Sequence, residues 1–188
     1  MKHEEAIELV KKKLPERRFQ HTMGVYEAAL ALSEHYGENC KKVGLAAILH
    51  DYAKGMDQES MMLLIQASKY PNKILKWNPV VWHGFVAAYL MKEKYKINDQ
   101  DVLDAIAYHT TGHKSMNDLA KIVYLADMTE KGRDFPGVED IRKLSFENLD
   151  EAMLFAVKIT LQHLLEDEET IAPYTIGLYN ALLNLKKD

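Results

Sequence analysis

Histidine and aspartate side chains recur in this sequence on the apolar faces of predicted helices. Steps of three or four residues along five separate apolar stripes reach His21, His50, His83, His109 and Asp127. Burying an unpaired imidazole is costly, and burying an unpaired carboxylate is more costly still. One metal ion can satisfy all of these groups together. The pattern therefore predicts a metal centre with imidazole and carboxylate ligands.

Asp51 directly follows His50 and brings a second carboxylate to the same point. Neighbouring residues of a helix point about 100° apart, so both side chains can face one ion only at a helix end. The donors are nitrogen and oxygen without thiolate, a set that suits Fe, Mn, Co, Zn or Ni. A cation held in this way activates water and polarises a phosphoryl oxygen. The predicted chemistry is hydrolysis by metal-activated water.

Three cationic side chains flank these positions. Arg18 precedes the first histidine by three residues, and Lys54 follows the second by four. Residues at these spacings share a helix face, although Lys54 does so only if its helix continues past Asp51. Arg133 lies in a glycine-containing loop that can fold over the centre, and Thr110 offers a hydroxyl at a helix end. We expect these side chains to contact a phosphate-containing substrate.

The elements that must position these groups are helices. Apolar residues recur at three- and four-residue spacings almost throughout, and alternation with period two is nearly absent. We predict one all-α domain of about eight or nine helices, without internal repeats or a linker. The predicted helical segments are about 3–13, 15–37, 39–52, 56–70, 78–95, 98–112, 117–130, 141–166 and 173–187.

The composition is that of an ordinary folded protein, and it excludes several functional classes. The 188 residues are 47% hydrophobic and 28% charged, with a net charge of −4. This acidity argues against binding of nucleic acid, which needs a basic surface. The single cysteine, Cys40, excludes a disulfide framework and fits a reducing compartment. Since neither a long apolar run nor a signal-peptide core occurs, we expect a cytoplasmic protein without membrane contact.

The ordered residues His21, His50-Asp51 and Asp127 on an all-α chain resemble the HD superfamily of metal-dependent phosphohydrolases. Several flanking segments resemble one family within it, the bacterial HD-domain symmetrical diadenosine-tetraphosphate hydrolases. The resemblance begins at about residue 15 and runs to the end. It rests on the segments RRFQHTMGV, LHDYAKG, WHGFVAAYL, AIAYHTTGH, YLADMTEKGRDFPGV and TIAPYTIGLYNALL. It implies symmetrical hydrolysis of a dinucleoside tetraphosphate into two nucleoside diphosphates.

This resemblance also implies roles for individual residues. The implied metal ligands are His21, His50, Asp51 and Asp127, and Asp51 is also counted as catalytic. Iron is the implied metal, with Mn, Co, Zn or Mg as alternatives and one or two ions bound. The implied single HD domain spans residues 1–188, with a core of about 15–135. Its C-terminal helices, within 141–187, are expected to close the nucleotide pocket.

The remaining site residues have less definite roles. His83 and His109 can complete a second metal site or contact the scissile phosphate, with one acting as general acid to the leaving nucleotide. We interpret both as catalytic phosphate contacts. Glu130, three residues after Asp127, is interpreted as a surface residue rather than as a group that orients a ligand.

The segment before the last predicted helix is implied to line the nucleoside end of the pocket. Tyr174 is expected to stack on a purine there, and backbone groups nearby can contact the edge of the base. The expected substrate contacts in this segment are Thr170, Ile171, Ala172, Pro173, Tyr174 and Thr175.

Three other functions remain open at this point. Another HD phosphohydrolase, acting on mononucleotides or alarmones, would share the metal centre and differ only in the pocket. A di-iron oxygenase would use a similar set of histidines and aspartates, but the flanking cations favour phosphate. A nucleotide-binding regulatory module that has lost catalysis would not need a complete set of metal ligands, whereas this sequence contains one. The expected partner is a nucleotide substrate, and a homodimer is left open.

Overall fold

The structure, a computed structural model, describes residues 1–185 and is all-α, as predicted. Among these residues there are ten α-helices and two short 3-10 helices, Asn72–Lys76 and Pro79–Val81. The α-helices are α1 (His3–Lys13), α2 (Glu16–Tyr36), α3 (Cys40–Leu49), α4 (Gln58–Ala67), α5 (Trp82–Glu93), α6 (Gln100–Tyr108), α7 (Asp118–Thr129), α8 (Val138–Ser145), α9 (Leu149–Glu166) and α10 (Pro173–Leu185).

The helix boundaries differ from the prediction at two places. The predicted helix 141–166 is broken into α8 and α9, because the Asn148 side chain accepts hydrogen bonds from the backbone of Asp150 and Glu151 and starts a new helix. Helix α6 begins at Gln100, two residues after the start of the predicted segment 98–112, because the Asp99 side chain caps it there. The predicted end of the last helix at Lys187 lies outside the described residues.

The helices that carry the site residues form the centre of the fold. Helix α2 packs on α3 and α7, and α6 packs on α3, α5 and α7. Helices α8 and α9 pack against α7, and α10 packs against α9. The large buried side chains of this core include Ile48, Phe85, Ile106, Ile122 and Tyr124. Because α3 and α7 are surrounded by other helices, polar side chains at their C-terminal ends are held inside the molecule.

Helices α5 and α6 approach each other closely at Gly84. A Cβ atom at this position would lie 2.9 Å from the carbonyl oxygen of Ala107 and 3.1 Å from that of Ile106. The missing side chain therefore lets the first turn of α5 touch the last turn of α6. This contact brings His83 next to His109.

Helices of the membrane-crossing type do not occur in the described part of the chain, since none there is sufficiently long and apolar.

Candidate metal centre

Three of the site histidines share one local arrangement at helix ends. His50 and His109 directly follow α3 and α6, and His83 lies in the first turn of α5. In each of them, Nδ1 lies 2.6–2.8 Å from the backbone carbonyl oxygen three residues earlier. A carbonyl only accepts, so Nδ1 carries the proton and donates it. In the neutral ring, Nε2 is therefore left with a free lone pair.

His21, on α2, has a different partner. Its Nδ1 lies 3.1 Å from Glu130 Oε1, and its Nε2 lies 3.0 Å from Asp127 Oδ1. The expectation of a surface position for Glu130 is wrong, because this side chain is only 6% exposed. Helix α7 ends at Thr129, and the chain direction changes at Glu130 so that the carboxylate reaches α2.

Two glycines make room for the Glu130 side chain. A Cβ atom at Gly24 would lie 2.7 Å from Glu130 Oε2, and one at Gly132 would lie 3.0 Å from both carboxylate oxygens. The backbone N–H of Gly132 also donates to Oε2. The only signal in the sequence for this arrangement is the presence of both glycines, one on each segment.

The cluster consists of the site histidines and aspartates, namely His21, His50, Asp51, His83, His109 and Asp127. Asp51 lies in its middle, in the turn after α3, and the two oxygens of its carboxylate have different neighbours. Oδ2 accepts from Arg18 Nη1 at 2.9 Å and lies 3.5 Å from His50 Nε2. Oδ1 lies 3.1 Å from His83 Nε2 and 3.8 Å from His109 Nε2. The end of α3 at Leu49 is what allows His50 and Asp51 to face the same region.

The donor atoms of the cluster fit a metal ion. Two groups of three, His21–His50–Asp127 and His50–Asp51–His109, each offer ligand atoms that all lie within 4.8 Å of one another. The Nε2 atoms of His21 and His50 are buried without a hydrogen-bond partner, and the 3.0 Å approach of His21 Nε2 to Asp127 lacks hydrogen-bond geometry. Buried polar atoms are rarely left unsatisfied. A cation between them would satisfy both.

The protonation states of the two aspartates and of His109 also suit metal ligation, whereas at His50 the charge of Asp51 outweighs burial and raises the pKa. Burial alone would raise the pKa of the Asp51 carboxyl, but His50 and His83 hold it well below its usual range. Burial is outweighed in the same way at Asp127, where the adjacent His21 ring and the charge of His50 lower the pKa. Burial, together with the charges of His50 and His83, lowers the pKa of His109 to about 3. The carboxylates are thus ionised and His109 is neutral, as ligation requires.

Two arginines bind the carboxylates of the cluster from outside. Arg18 donates to Asp51, as described above, and Arg133 donates through Nη2 to Asp127 Oδ1 at 2.6 Å. Arg133 Nε also donates to the backbone carbonyl of Asp127 at 2.8 Å. The structure thus brings both predicted arginines to the centre. Each remains about one-third exposed, so each can also reach a ligand.

Lys54 and Thr110 are also brought to the centre. Lys54 lies in the turn after α3 rather than on a continued helix, and it lines a cleft of about 310 Å³ together with His83. Burial lowers the pKa of its amine, and the charge of Asp51 opposes this effect only in part. Thr110 Oγ1 lies 2.9 Å from His109 Nε2 and 3.4 Å from His83 Nε2.

Arg142, on α8, supports the loop after α7 and was not identified from the sequence. Its Nε donates to the carbonyl of Thr129, and its Nη2 donates to those of Glu130 and Arg133, each at 2.9 Å. Helix α8 therefore holds Arg133 and Glu130 in place. Nothing in the local sequence separates Arg142 from an ordinary basic residue in the last turn of a helix.

The segment 170–175 reaches the centre through the end of α6. Buried Thr175 donates through Oγ1 to the carbonyl of Thr111, the residue after Thr110, at 2.9 Å. The ring of Tyr174 packs edge-on against Trp77 and His113, with centroid distances of 4.9 and 4.8 Å. Of the remaining predicted contacts in this segment, Ala172 is buried and Ile171 is partly buried, whereas Thr170 and Pro173 are exposed.

This structure has an all-α fold that brings histidines, aspartates and flanking cations together at helix ends. That arrangement is the one of HD metal-dependent phosphohydrolases. The family model described as HD domain matches residues 18–132, which include every residue of the cluster. The chain belongs to the HD domain family, and within it to the group whose curated relatives are named symmetrical bis(5'-nucleosyl)-tetraphosphatase.

Two such relatives are similar over nearly the whole chain. The Bacillus subtilis protein is 41% identical over 98% of this chain and 99% of its own length. The Halalkalibacterium halodurans protein is 42% identical over 97% of this chain and 98% of its own. A crystal structure from Clostridium acetobutylicum, described as a predicted HD superfamily hydrolase involved in NAD metabolism, has a TM-score of 0.93. It is 31% identical and covers 98% of both chains.

Proposed function

We propose that this protein hydrolyses diadenosine tetraphosphate and related dinucleoside polyphosphates symmetrically into two nucleoside diphosphates. The observation that carries the proposal is the cluster of buried, unsatisfied ligand atoms with arginines on its carboxylates. The ligand atoms provide for a metal, and the arginines provide for a chain of phosphates. The proposal is also supported by the names of the relatives that are similar over nearly the whole chain.

In this proposal, His21, His50, Asp51 and Asp127 hold the metal. When bound, the metal lowers the pKa of a coordinated water and polarises a phosphoryl oxygen. Iron is proposed from the resemblance to the family, with Mn, Co, Zn or Mg as alternatives. The nitrogen and oxygen donors suit iron but do not distinguish it from the other transition metals. The second group of ligand atoms includes His109, so a second ion is the alternative use of that residue.

The protein's own groups then act on the substrate. Arg18, Lys54 and Arg133 neutralise the phosphates, and Thr110 donates its hydroxyl to one of them. His109 is neutral with Nδ1 committed to a carbonyl, so its Nε2 is an acceptor rather than a proton donor. His83 also uses Nδ1 on a carbonyl, so it can donate from Nε2 only as the imidazolium. We assign the general acid to His83 in that form, because its Nε2 faces two acceptors, Asp51 Oδ1 at 3.1 Å and His109 Nε2 at 3.0 Å.

The nucleoside end is proposed to lie at residues 170–175. The hydrogen bond from Thr175 to Thr111 supports this proposal, because the neighbouring residue Thr110 contacts His109 of the cluster. In the proposal, a base lies at the Tyr174 ring while the phosphates of the same nucleotide contact the centre. A cytoplasmic location and a homodimer stay predictions.

The experiment is a product analysis with protein loaded with Fe(II) without oxygen. Diadenosine tetraphosphate should give ADP alone. The Asp51→Asn variant should reduce the rate and the bound metal by at least about 100-fold, because loss of a residue that only supports a metal ligand already lowers metal affinity or activity by about 10–100-fold. Exposed Asp140→Asn on α8 is the matched control and should behave as wild type. Release of AMP or inorganic phosphate would contradict the proposal, as would oxygen uptake without hydrolysis in a parallel assay in air.

A further inference from the structure

A cleft of about 760 Å³ opens between the start of α2 and the loop that follows α7. His21 and Glu130 line its inner part, where it meets the metal cluster. The cleft is lined by the cationic side chains Arg17, Arg18, Lys131 and Arg133 and by the carboxylates Glu27 and Glu130. It is thus a basic surface on a chain whose net charge is −4.

Two of these cations are available to a ligand. Arg17 is exposed and makes no hydrogen bond or ion pair within residues 1–185. Lys131 pairs only with Glu27, at 3.0 Å, and both side chains are more than half exposed. Such an exposed pair contributes little to stability and is readily exchanged for another anion. Arg18 and Arg133 continue the positive charge inward to the carboxylates of the cluster.

The cleft and the segment 170–175 meet the cluster at different places. Asp51 Oδ2 faces Arg18 and His21, which line the cleft. Its Oδ1 faces His83 and His109, which connect through Thr110 and Thr111 to the segment. The cleft and the segment share no residue. The cleft therefore offers space to a long ligand on the side of Asp51 that faces Arg18 and His21.

We propose that this cleft binds the second nucleoside diphosphate half of the substrate, with Arg17 and Lys131 contacting its phosphates. The inference rests on the proposed function, in which the first half lies at the segment 170–175. Cleavage into two equal products requires water to attack one of the two inner phosphorus atoms and the bridge between these two atoms to break. One nucleoside diphosphate keeps the attacked phosphorus, the other is the leaving group, and the two extend to opposite sides of the broken bond. The cleft supplies positive charge and space for the half that the segment cannot reach.

The test is the double variant Arg17→Ala/Lys131→Ala, loaded with metal. We expect the KM for diadenosine tetraphosphate to rise about tenfold, because two exposed charge contacts are lost, while kcat and metal content stay the same. In equilibrium dialysis with ADP, the metal-loaded wild type should bind two molecules per chain, and the double variant should bind one.

The matched control is Lys41→Ala/Lys158→Ala, which removes the same charge from exposed positions outside the cleft and should leave both measurements at wild-type values. An unchanged KM in the Arg17/Lys131 variant, or a single ADP per wild-type chain, would overturn the inference. Failure of the wild type to form ADP would instead contradict the proposed function itself, so the two failures are distinguishable.

Discussion

The imidazole rings of the cluster are oriented by bonds that do not depend on a ligand. His50, His83 and His109 each use Nδ1 on a nearby carbonyl of their own helical turn. His21 instead depends on Glu130, which lies 109 residues further along the chain. A carboxylate behind a metal-binding histidine fixes the ring and raises its basicity. In the proposed metal centre, we therefore expect Glu130 to act as a positioning residue for His21.

Replacing Glu130 with glutamine should weaken metal binding without unfolding the protein. The amide keeps the shape but loses the charge that supports His21, so metal affinity should fall about 10–100-fold. Titration of metal-free protein with Fe(II) or Mn(II) measures this change, and thermal unfolding of the metal-free forms checks the fold. Exposed Glu34→Gln on α2 is the control. Equal metal affinity in the two variants would show that Glu130 does not act through His21.

The site could be predicted from the sequence where a residue's position follows from its own helix. His21, His50, His83, His109 and Asp127 could be placed because the spacing of apolar residues gives the buried face of a helix. Glu130 could not be placed, since its side chain lies beyond the last turn of α7 and its direction depends on a turn. Arg142 could not be found because its partners are backbone carbonyls of a distant segment.

At the level of elements, the approach of α5 to α6 decides whether His83 meets His109. The contact requires glycine at position 84, where any Cβ atom would press against backbone carbonyls. Backbone atoms of a packed helix cannot move aside as a flexible side chain can. The geometry of this part of the site therefore depends on the spacing between two helices.

Substitution of Gly84 by alanine should destabilise the protein by about 1–3 kcal/mol, the usual cost of overpacking. This loss exceeds the gain of up to about 1 kcal/mol that alanine brings to a helix. Gly177→Ala on α10 is the matched control, because nothing lies within 4 Å of its Cβ position, and it should be stabilising. Urea unfolding measures both. Stabilisation by Gly84→Ala would show that the two helices can separate freely.

The helices could be predicted where the apolar periodicity and the capping residues agree. They were less predictable where an apolar pattern continues across the junction between two helices. Val80 lies three residues before His83 in the predicted helix 78–95, a spacing that would put both on one buried face. It is 56% exposed, because it lies in a 3-10 helix before α5. The break at Asn148 was hidden because apolar periodicity continues from α8 into α9. Helix propensity alone does not reveal such a break, because it depends on recognising Asn148 as the N-cap of a new helix.

For the molecule as a whole, the cluster joins α2, the ends of α3 and α6, the start of α5 and the last turn of α7. A ligand held at that junction binds only the folded state, so it stabilises the fold by mass action. Metal at 100 times its dissociation constant should add about 2.7 kcal/mol to the free energy of unfolding.

Removal of the metal with a chelator should therefore lower the Tm by about 5–10 °C. Calorimetry before and after chelation measures the shift, and addition of excess metal should reverse it. The Asp51→Asn variant should show little shift under the same treatment. A wild-type Tm that is insensitive to chelation would mean that the cluster does not hold a metal in the folded protein.

The two oxygens of Asp51 have chemically different neighbours, Arg18 at 2.9 Å and His83 at 3.1 Å. A dinucleoside tetraphosphate with identical bases is, by contrast, unchanged when its ends are exchanged. Such a ligand fits a dissymmetric site in two equivalent orientations, a degeneracy worth RT ln 2, or about 0.4 kcal/mol of binding. A ligand with two different bases loses this degeneracy. With such a ligand, the nucleoside diphosphate that carries the oxygen atom from water shows in which of the two orientations the ligand was bound.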